Sequence, residues 1–254
     1  MELRGKSAII TGGSRGIGMA ICKSMAEKGV SVGVNYVRDG SGDEVIELIK
    51  KGGGIALNLQ ADVRDDNDVK SMVGKAIEAF GKIDFLINSA GISDQMVPVV
   101  EQDTNAWQKV MDIDLKGTYL CCKEVAKSMI KNNFGRIVNI ASIGGLNAFP
   151  QRTAYCPSKS AIIMLTKVLA IEWATYNINV NAIAPGYIRT EMVEKMALTG
   201  AFDEEKLRNR IPLRRLGHTS EIADVALFLC SNGANYITGE TITVDGGFVA
   251  YGYL

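Results

Sequence analysis

The feature of this chain that most restricts its fold is a repeating alternation of short apolar runs with stretches of helical periodicity. Ser7-Ala8-Ile9-Ile10 is the first such run. It ends in the glycine-rich turn Thr11-Gly12-Gly13-Ser14-Arg15-Gly16-Ile17-Gly18. An amphipathic helix then runs to about Lys28 and stops at Gly29, as helices do at glycine C-caps. The spacing predicts further strands over 30–35, 55–59, 84–87, 136–140, 179–183 and 241–244. Helices are predicted near 42–51, 67–80, 104–131, 153–175 and 220–229. Short apolar strands, each separated from the next by a helix, specify a parallel sheet buried on both faces. Right-handed crossovers make that an α/β, doubly wound (Rossmann) sandwich with helices on both faces. Only 186–212 breaks the rhythm. This segment mixes Met192, Met196, Leu198 and Phe202 with charges, and over 187–212 it is expected to form a mobile flap above the site.

No linker or internal repeat interrupts the alternation, so a single domain is expected over 1–254. A hydrophobic fraction of 47% is too high for a disordered chain. Lys+Arg and Asp+Glu both number 28, which gives no reason to expect nucleic acid or an anionic membrane as partner. No apolar run is long enough to span a bilayer. The segment from Met1 to Lys6 lacks the apolar core of a signal peptide, and the five cysteines are scattered with no CxxC. A cytoplasmic protein with reduced thiols is expected. His218, the lone histidine, cannot build a zinc cluster, so no metal site is expected.

A glycine-rich turn between a first strand and a first helix can set backbone N–H groups and a helix N-terminus against a pyrophosphate. Here Gly12, Gly16 and Gly18 follow a GxxxGxG spacing in the required strand–turn–helix context. Such glycines also occur in turns that do no more than reverse the chain. The end of the second strand bears on the ribose. An NAD site places a carboxylate there, but Tyr36 stands at that position and no acid appears before Asp39. Arg15 and Arg38 flank the same place, and a guanidinium binds a 2′-phosphate bidentately. NADP(H) is therefore favoured over NAD(H), unless both arginines are simply solvated.

Tyr155-Cys156-Pro157-Ser158-Lys159 puts a tyrosine and a lysine on one face of a predicted helix. A phenol alone is a poor base at neutral pH. An ammonium roughly 4 Å away, at an effective dielectric near 20, favours the phenolate by about 4 kcal/mol. That brings proton exchange toward neutral pH, where acid/base catalysis works best. Ser142 ends the strand before this helix, where it can hydrogen-bond a carbonyl oxygen and hold it against the phenol. The set suits a nicotinamide-dependent interconversion of a ketone and a secondary alcohol.

With the turn Asn88-Ser89-Ala90-Gly91 and the pair Pro185-Gly186, these motifs make the chain resemble the short-chain dehydrogenase/reductase family over nearly its whole length. The resemblance implies a seven-stranded sheet and a homotetramer assembled through the long helices and the last strand. It assigns Gly12, Ser14, Arg15, Gly16, Ile17 and Gly18 to the phosphate turn, with Tyr36 and Arg38 beside the ribose. Asp62 and Val63 would contact adenine, Asn88 and Ala90 the adenosine ribose, and Tyr155 and Lys159 the nicotinamide ribose. Ile188 and Thr190 would bind the carboxamide, with Gly91, Pro185 and Gly186 completing the set. Ser142, Tyr155, Lys159 and Asp114 would form the catalytic group. Asp114 departs from the pattern, because the family has asparagine in this N-L-x-G segment, where it supports a proton-relay water. Aspartate still accepts hydrogen bonds, so activity is expected to survive with an altered relay and a shifted pH profile.

Within the family the chain is similar to 3-oxoacyl thioester reductases of fatty acid synthesis, including the ending Gly239-Glu240-Thr241 to Val244-Asp245-Gly246-Gly247. Relatives that receive an acyl carrier protein have arginines where this chain has Asn133 and Tyr176, although Lys127 and Lys131 stand nearby. The stretch Leu169 to Ala174 is also similar to sugar and polyol dehydrogenases of the glucose and gluconate type. A catalytically silent NADP-binding scaffold is the alternative from another class.

Overall fold

Every residue of β1 (Ser7–Thr11) is buried, as a strand covered on both faces must be. The computed structural model, which describes residues 3–191, 193 and 203–252, places this strand inside the sheet, third from one edge. It pairs in parallel with β2 (Ser31–Tyr36) on one side and β4 (Phe85–Asn88) on the other. β3 (Ala56–Gln60) lies outside β2, while β5 (Gly135–Ile140), β6 (Ile178–Pro185) and β7 (Thr241–Val244) extend the opposite way. The resulting order is β3-β2-β1-β4-β5-β6-β7. Chain direction around the sheet reverses between β1 and β4, and a crevice opens at that point beyond the carboxyl ends of the strands.

Successive residues of β1 supply opposite cores, as the two-residue period of a strand requires. Ile10 joins a cluster with Ile21, Met25, Val45 and Ile222 from α1 (Gly16–Glu27), α2 (Asp43–Lys51) and the later helix Thr219–Leu229. Ile9 joins Met72, Val125, Met129, Leu169 and Trp173 from α3 (Asp66–Phe80), α5 (Gly117–Lys131) and α6 (Tyr155–Trp173). The expected sheet and its two helical layers are therefore present, with strand ends displaced by a residue or two. Among the described residues no helix is long and apolar enough to cross a membrane.

The long helical stretch expected over 104–131 is present, and within it α4 (Thr104–Met111) passes through a π-helical turn over Asp112–Lys116 into α5. Wider turns of this kind concentrate at functional sites, and this one carries Asp114 inward to full burial. Gly117 is needed just after it, because a Cβ there would lie 2.7 Å from Cγ2 of Val63. The helix expected over 153–175 begins at Tyr155 and ends at Trp173, followed by a 3-10 turn and Asn177 at φ 56°. In the expected flap, α7 (Glu204–Arg210) and Ile188, which bridges to Gly217, are described. Met192, Met196, Leu198 and Phe202 lie outside the described residues. The last helix, Thr219–Leu229, is α8.

Candidate active site

The phosphate turn is shaped by its glycines. Gly12 adopts φ +62°, and a Cβ on it would sit 2.9 Å from Cα of Ala90, so the turn after β1 presses directly on the turn after β4. Gly16 adopts φ +55°, and a Cβ on it would lie 3.7 Å from Cγ2 of Thr190 across the opening. Gly18 backs onto the Gly12 carbonyl. The N-cap of α1, Arg15, makes no side-chain cap bond, and the first turn carries no acid. Its leading amides, those of Gly16, Ile17 and Gly18, therefore face outward without an intrahelical acceptor, in a field that favours an anion. Ser14 lies half-buried beside them. Asn88 is 3% exposed and its Oδ1 has no partner, which leaves a buried acceptor at the end of β4. These features fit a dinucleotide.

The residues expected around the adenosine are placed unevenly. The Tyr36 ring is buried, seated so closely on Gly42 that a Cβ there would lie 2.0 Å from it. Burial pushes its hydroxyl up. Arg38 is exposed on the following bend. Arg15 is exposed too and pairs with Glu191 at 3.6 Å. Asp62 is engaged by Arg64, whose Nε and Nη2 donate to its carboxylate at 3.0 and 2.5 Å and hold it below the usual range. Val63 is buried against Gly117, so it offers backbone rather than side chain. Beyond β6, which ends at Pro185, Gly186 abuts Asp245 and Ile188 is buried.

Four side chains expected to be catalytic, Ser142, Tyr155, Lys159 and Asp114, are brought together from three elements. Ser142 follows β5, is 7% exposed, and accepts the Gly144 N–H at 3.0 Å. A Cβ on Gly144 would lie 3.4 Å from Ser142 Oγ and 3.3 Å from Tyr155 Cε1, so both groups flank this glycine. Lys159, one helical turn beyond Tyr155, is buried and donates from Nζ to the Ile140 carbonyl at 3.2 Å. Its Nζ stands 5.6 Å from the centre of the Tyr155 ring.

Lys159 is paired with Asp114 Oδ2 at 3.1 Å, so its charge does not act on the phenol alone. Asp114 Oδ1 accepts the Ile92 N–H at 2.9 Å, and its carbonyl is occupied by Thr118 Oγ1 at 2.6 Å. Gly91 lies over the pair, where a Cβ would come within 3.2 Å of both charges. Burial pushes the Asp114 carboxyl up, with the Lys159 ammonium opposing it. Burial pulls Lys159 down, but the attraction of Asp114 and Tyr155 outweighs it and leaves the ammonium up.

Several supporting residues carry no motif. Thr11 Oγ1 accepts the amides of Ser89 and Ala90 at 3.0 Å. Asn35, buried in β2, accepts from the Gly12 amide and donates to the carbonyls of Leu59 and Ala61 at 3.0 Å. Asn139 links Asn88 to Thr166. Asp94 accepts the first amides of α6. A polar residue inside an apolar strand is the one signal that could have revealed Asn35 and Asn139. A cavity of about 360 Å³, lined by Lys6, Ser31, Leu57, Phe80 and Lys82, opens at the amino ends of the strands, opposite all of this. Sheets of this class bind ligands at the carboxyl ends, the end that carries the glycine turn after β1, Asn88 and Ser142.

Known proteins resemble this chain over nearly its whole length. Residues 12–249 match a family model described as Enoyl-(Acyl carrier protein) reductase. The chain is 40% identical over 245 residues to a 3-oxoacyl-acyl-carrier-protein reductase of Staphylococcus epidermidis, covering 95% of this chain and 98% of that one. It is 38% identical over 252 residues to glucose 1-dehydrogenase 2 of Bacillus subtilis, covering 98% and 97%. A crystal structure of a short-chain type dehydrogenase/reductase from Mycobacterium marinum superposes with a TM-score of 0.92 at 34% identity, covering 98% of each chain.

Proposed function

Because this chain belongs to the short-chain dehydrogenase/reductase family, and so is an NAD(P)-dependent oxidoreductase, we propose that it reduces the ketone of a 3-oxoacyl thioester, with preference for NADPH. The observation that carries the chemistry is the convergence of Ser142 and Tyr155 on Gly144, with the Lys159 ammonium 5.6 Å from the centre of the Tyr155 ring. The ketone oxygen lies between the two hydroxyls. Ser142 already accepts the Gly144 amide, so its own proton is turned to the ketone oxygen. Tyr155 gives its proton to that oxygen as negative charge develops, and Lys159 favours the phenolate left behind. When bound, the nicotinamide supplies hydride to the carbonyl carbon, and alcohol oxidation reverses each proton movement. The amides at Gly16 to Gly18 would hold the pyrophosphate, and Thr190 and Ile188 the carboxamide side.

The NADPH preference is supported by the missing acid at the end of β2 and by Arg15 and Arg38, both exposed beside the turn. Tyr36→Asp should move kcat/KM toward NADH; an unchanged ratio counts against the preference. The thioester reading is supported by the family model and the Staphylococcus relative. A sugar or polyol substrate is favoured instead by the Bacillus relative. An acyl carrier protein would approach Lys127 and Lys131 near Asn133 and Tyr176. A cytoplasmic homotetramer is the assembly we infer. Its support is the outer face of α6, where Met164, Val168 and Ile171 are 59%, 50% and 81% exposed.

A panel of 3-oxoacyl thioesters, short β-keto esters, sugars and polyols with both cofactors tests substrate and class together. Reduction of thioesters with NADPH is expected. NADPH binding without turnover on any member of the panel would establish a scaffold. Tyr155→Phe should lower kcat by about 10²–10⁴-fold while NADPH still binds; undiminished turnover refutes the chemistry.

A further inference from the structure

Asp94 and Arg152 belong to no motif, yet they meet beside the first turn of α6. Asp94 follows β4, and its carboxylate is 1% exposed; the Arg152 side chain is 10% exposed and precedes the helix. Arg152 Nη1 reaches Asp94 Oδ1 at 3.2 Å, and also donates to the Asp94 carbonyl at 3.2 Å and to Ser93 Oγ. The other carboxylate oxygen, Oδ2, accepts the N–H of Ala154 at 3.1 Å and of Tyr155 at 3.2 Å. These amides have no acceptor within the helix, and Ala154 at the N-cap has no side-chain oxygen to offer. The cap thus comes from a residue 61 positions upstream of Tyr155, and a carboxylate there also suits the helix dipole. Two further bonds strap the same segment: Thr153 Oγ1 donates to Gln102 Oε1, and Trp107 Nε1 donates to the Thr153 carbonyl at 3.0 Å.

We propose that Asp94 is a positioning residue that sets where α6 presents the Tyr155 phenol, and that Arg152 cancels its charge so that the phenol does not face a second uncompensated carboxylate. The proposal rests on Tyr155 being the acid/base. Among the described residues, the charged and titratable groups coupled to Tyr155 or to its neighbours are Lys159 and Cys156 on α6, Asp114 on the π-turn, Tyr187 after β6, and the Asp94–Arg152 pair itself. The pair is felt at its neighbours. Burial raises the Cys156 thiol, with Asp94 adding to the effect and Arg152 opposing it. Burial likewise raises the Tyr187 hydroxyl, and Arg152 pulls against it.

Three variants separate charge from position, each measured as kcat and KM against pH with NADPH affinity alongside. Arg152→Gln leaves the Asp94 charge unpaired, so the pH midpoint of turnover rises by about one unit. The double variant Asp94→Asn with Arg152→Gln removes both charges but keeps an acceptor for the two amides, and restores the parent midpoint and kcat. The double variant Asp94→Ala with Arg152→Gln is also uncharged but has no acceptor. It keeps the parent midpoint while kcat falls by about ten- to a hundredfold, with KM and NADPH affinity little changed. A parent pH profile in Arg152→Gln, or parent kcat in the alanine double, overturns the proposal. Tyr155→Phe tells the two levels apart. If it is inactive while those variants behave as the parent, the role of Asp94 alone falls; if it turns over, the acid/base reading beneath it falls.

Discussion

Replacing Asp114 by asparagine should move the pH dependence of turnover in a direction that the ion pair dictates. The Lys159 ammonium stands 5.6 Å from the centre of the Tyr155 ring; over that distance, at an effective dielectric near 20, it favours the phenolate by about 3 kcal/mol. Asp114 is paired to that ammonium at 3.1 Å. Its carboxylate therefore lies within about 9 Å of the ring, whatever its direction, and opposes the ammonium by about 2 kcal/mol or more. Asp114→Asn removes this opposition and keeps an oxygen for the Ile92 amide. Since losing a nearby anion favours the phenolate, the pH midpoint of kcat for alcohol oxidation should fall by about 1.5 units. In the reductive direction, where the phenol must be protonated, the falling limb should move down by the same amount. The assay is kcat against pH in both directions at saturating substrate, with NADPH affinity as a check on folding. An unmoved midpoint would mean that the carboxylate is not felt at the phenol. An upward shift would mean that Lys159, pulled down by burial, loses its proton without Asp114; either result refutes the reasoning.

Other consequences are as open to measurement. Asn35→Ala strands two buried carbonyls and frees the Gly12 amide, which should cost about 2 kcal/mol and lower Tm by about 4–8 °C, with weaker NADPH binding; an unchanged Tm would rule out the staple. Glu221 accepts from Arg215 and from the His218 amide, which together hold it at about 2 instead of its ordinary 4.5. A depressed carboxyl contributes stability above its unfolded value and loses it as pH falls, so the Tm gap between parent and Glu221→Gln should close between pH 4.5 and 2. A gap that persists to the lowest pH contradicts this.

The fold was highly legible because its signals are local. Apolar runs such as Ile9-Ile10 and Ile137-Val138, interleaved with helical periodicity, admit few arrangements besides a doubly wound sheet. The candidate group Tyr155, Lys159 and Ser142 was legible because each occupies a recognisable place, either one helical turn apart or at a strand's end. The π-turn was not, since 104–131 keeps helical composition throughout and a wider turn leaves no mark in residue type. Nor were Asn35 and Asp94. Their partners are 23 to 61 residues away, and no short motif spans such a separation.

By itself, the order of residues determined which strands and helices form, where the glycine turn falls, and that a phenol and an ammonium share one helical face. Whether that ammonium acts alone was decided only when the chain folded. The π-turn brings Asp114 to Lys159 from 45 positions earlier in the chain, and a Coulomb interaction depends on distance through space and on exclusion of water, neither of which a linear spacing encodes.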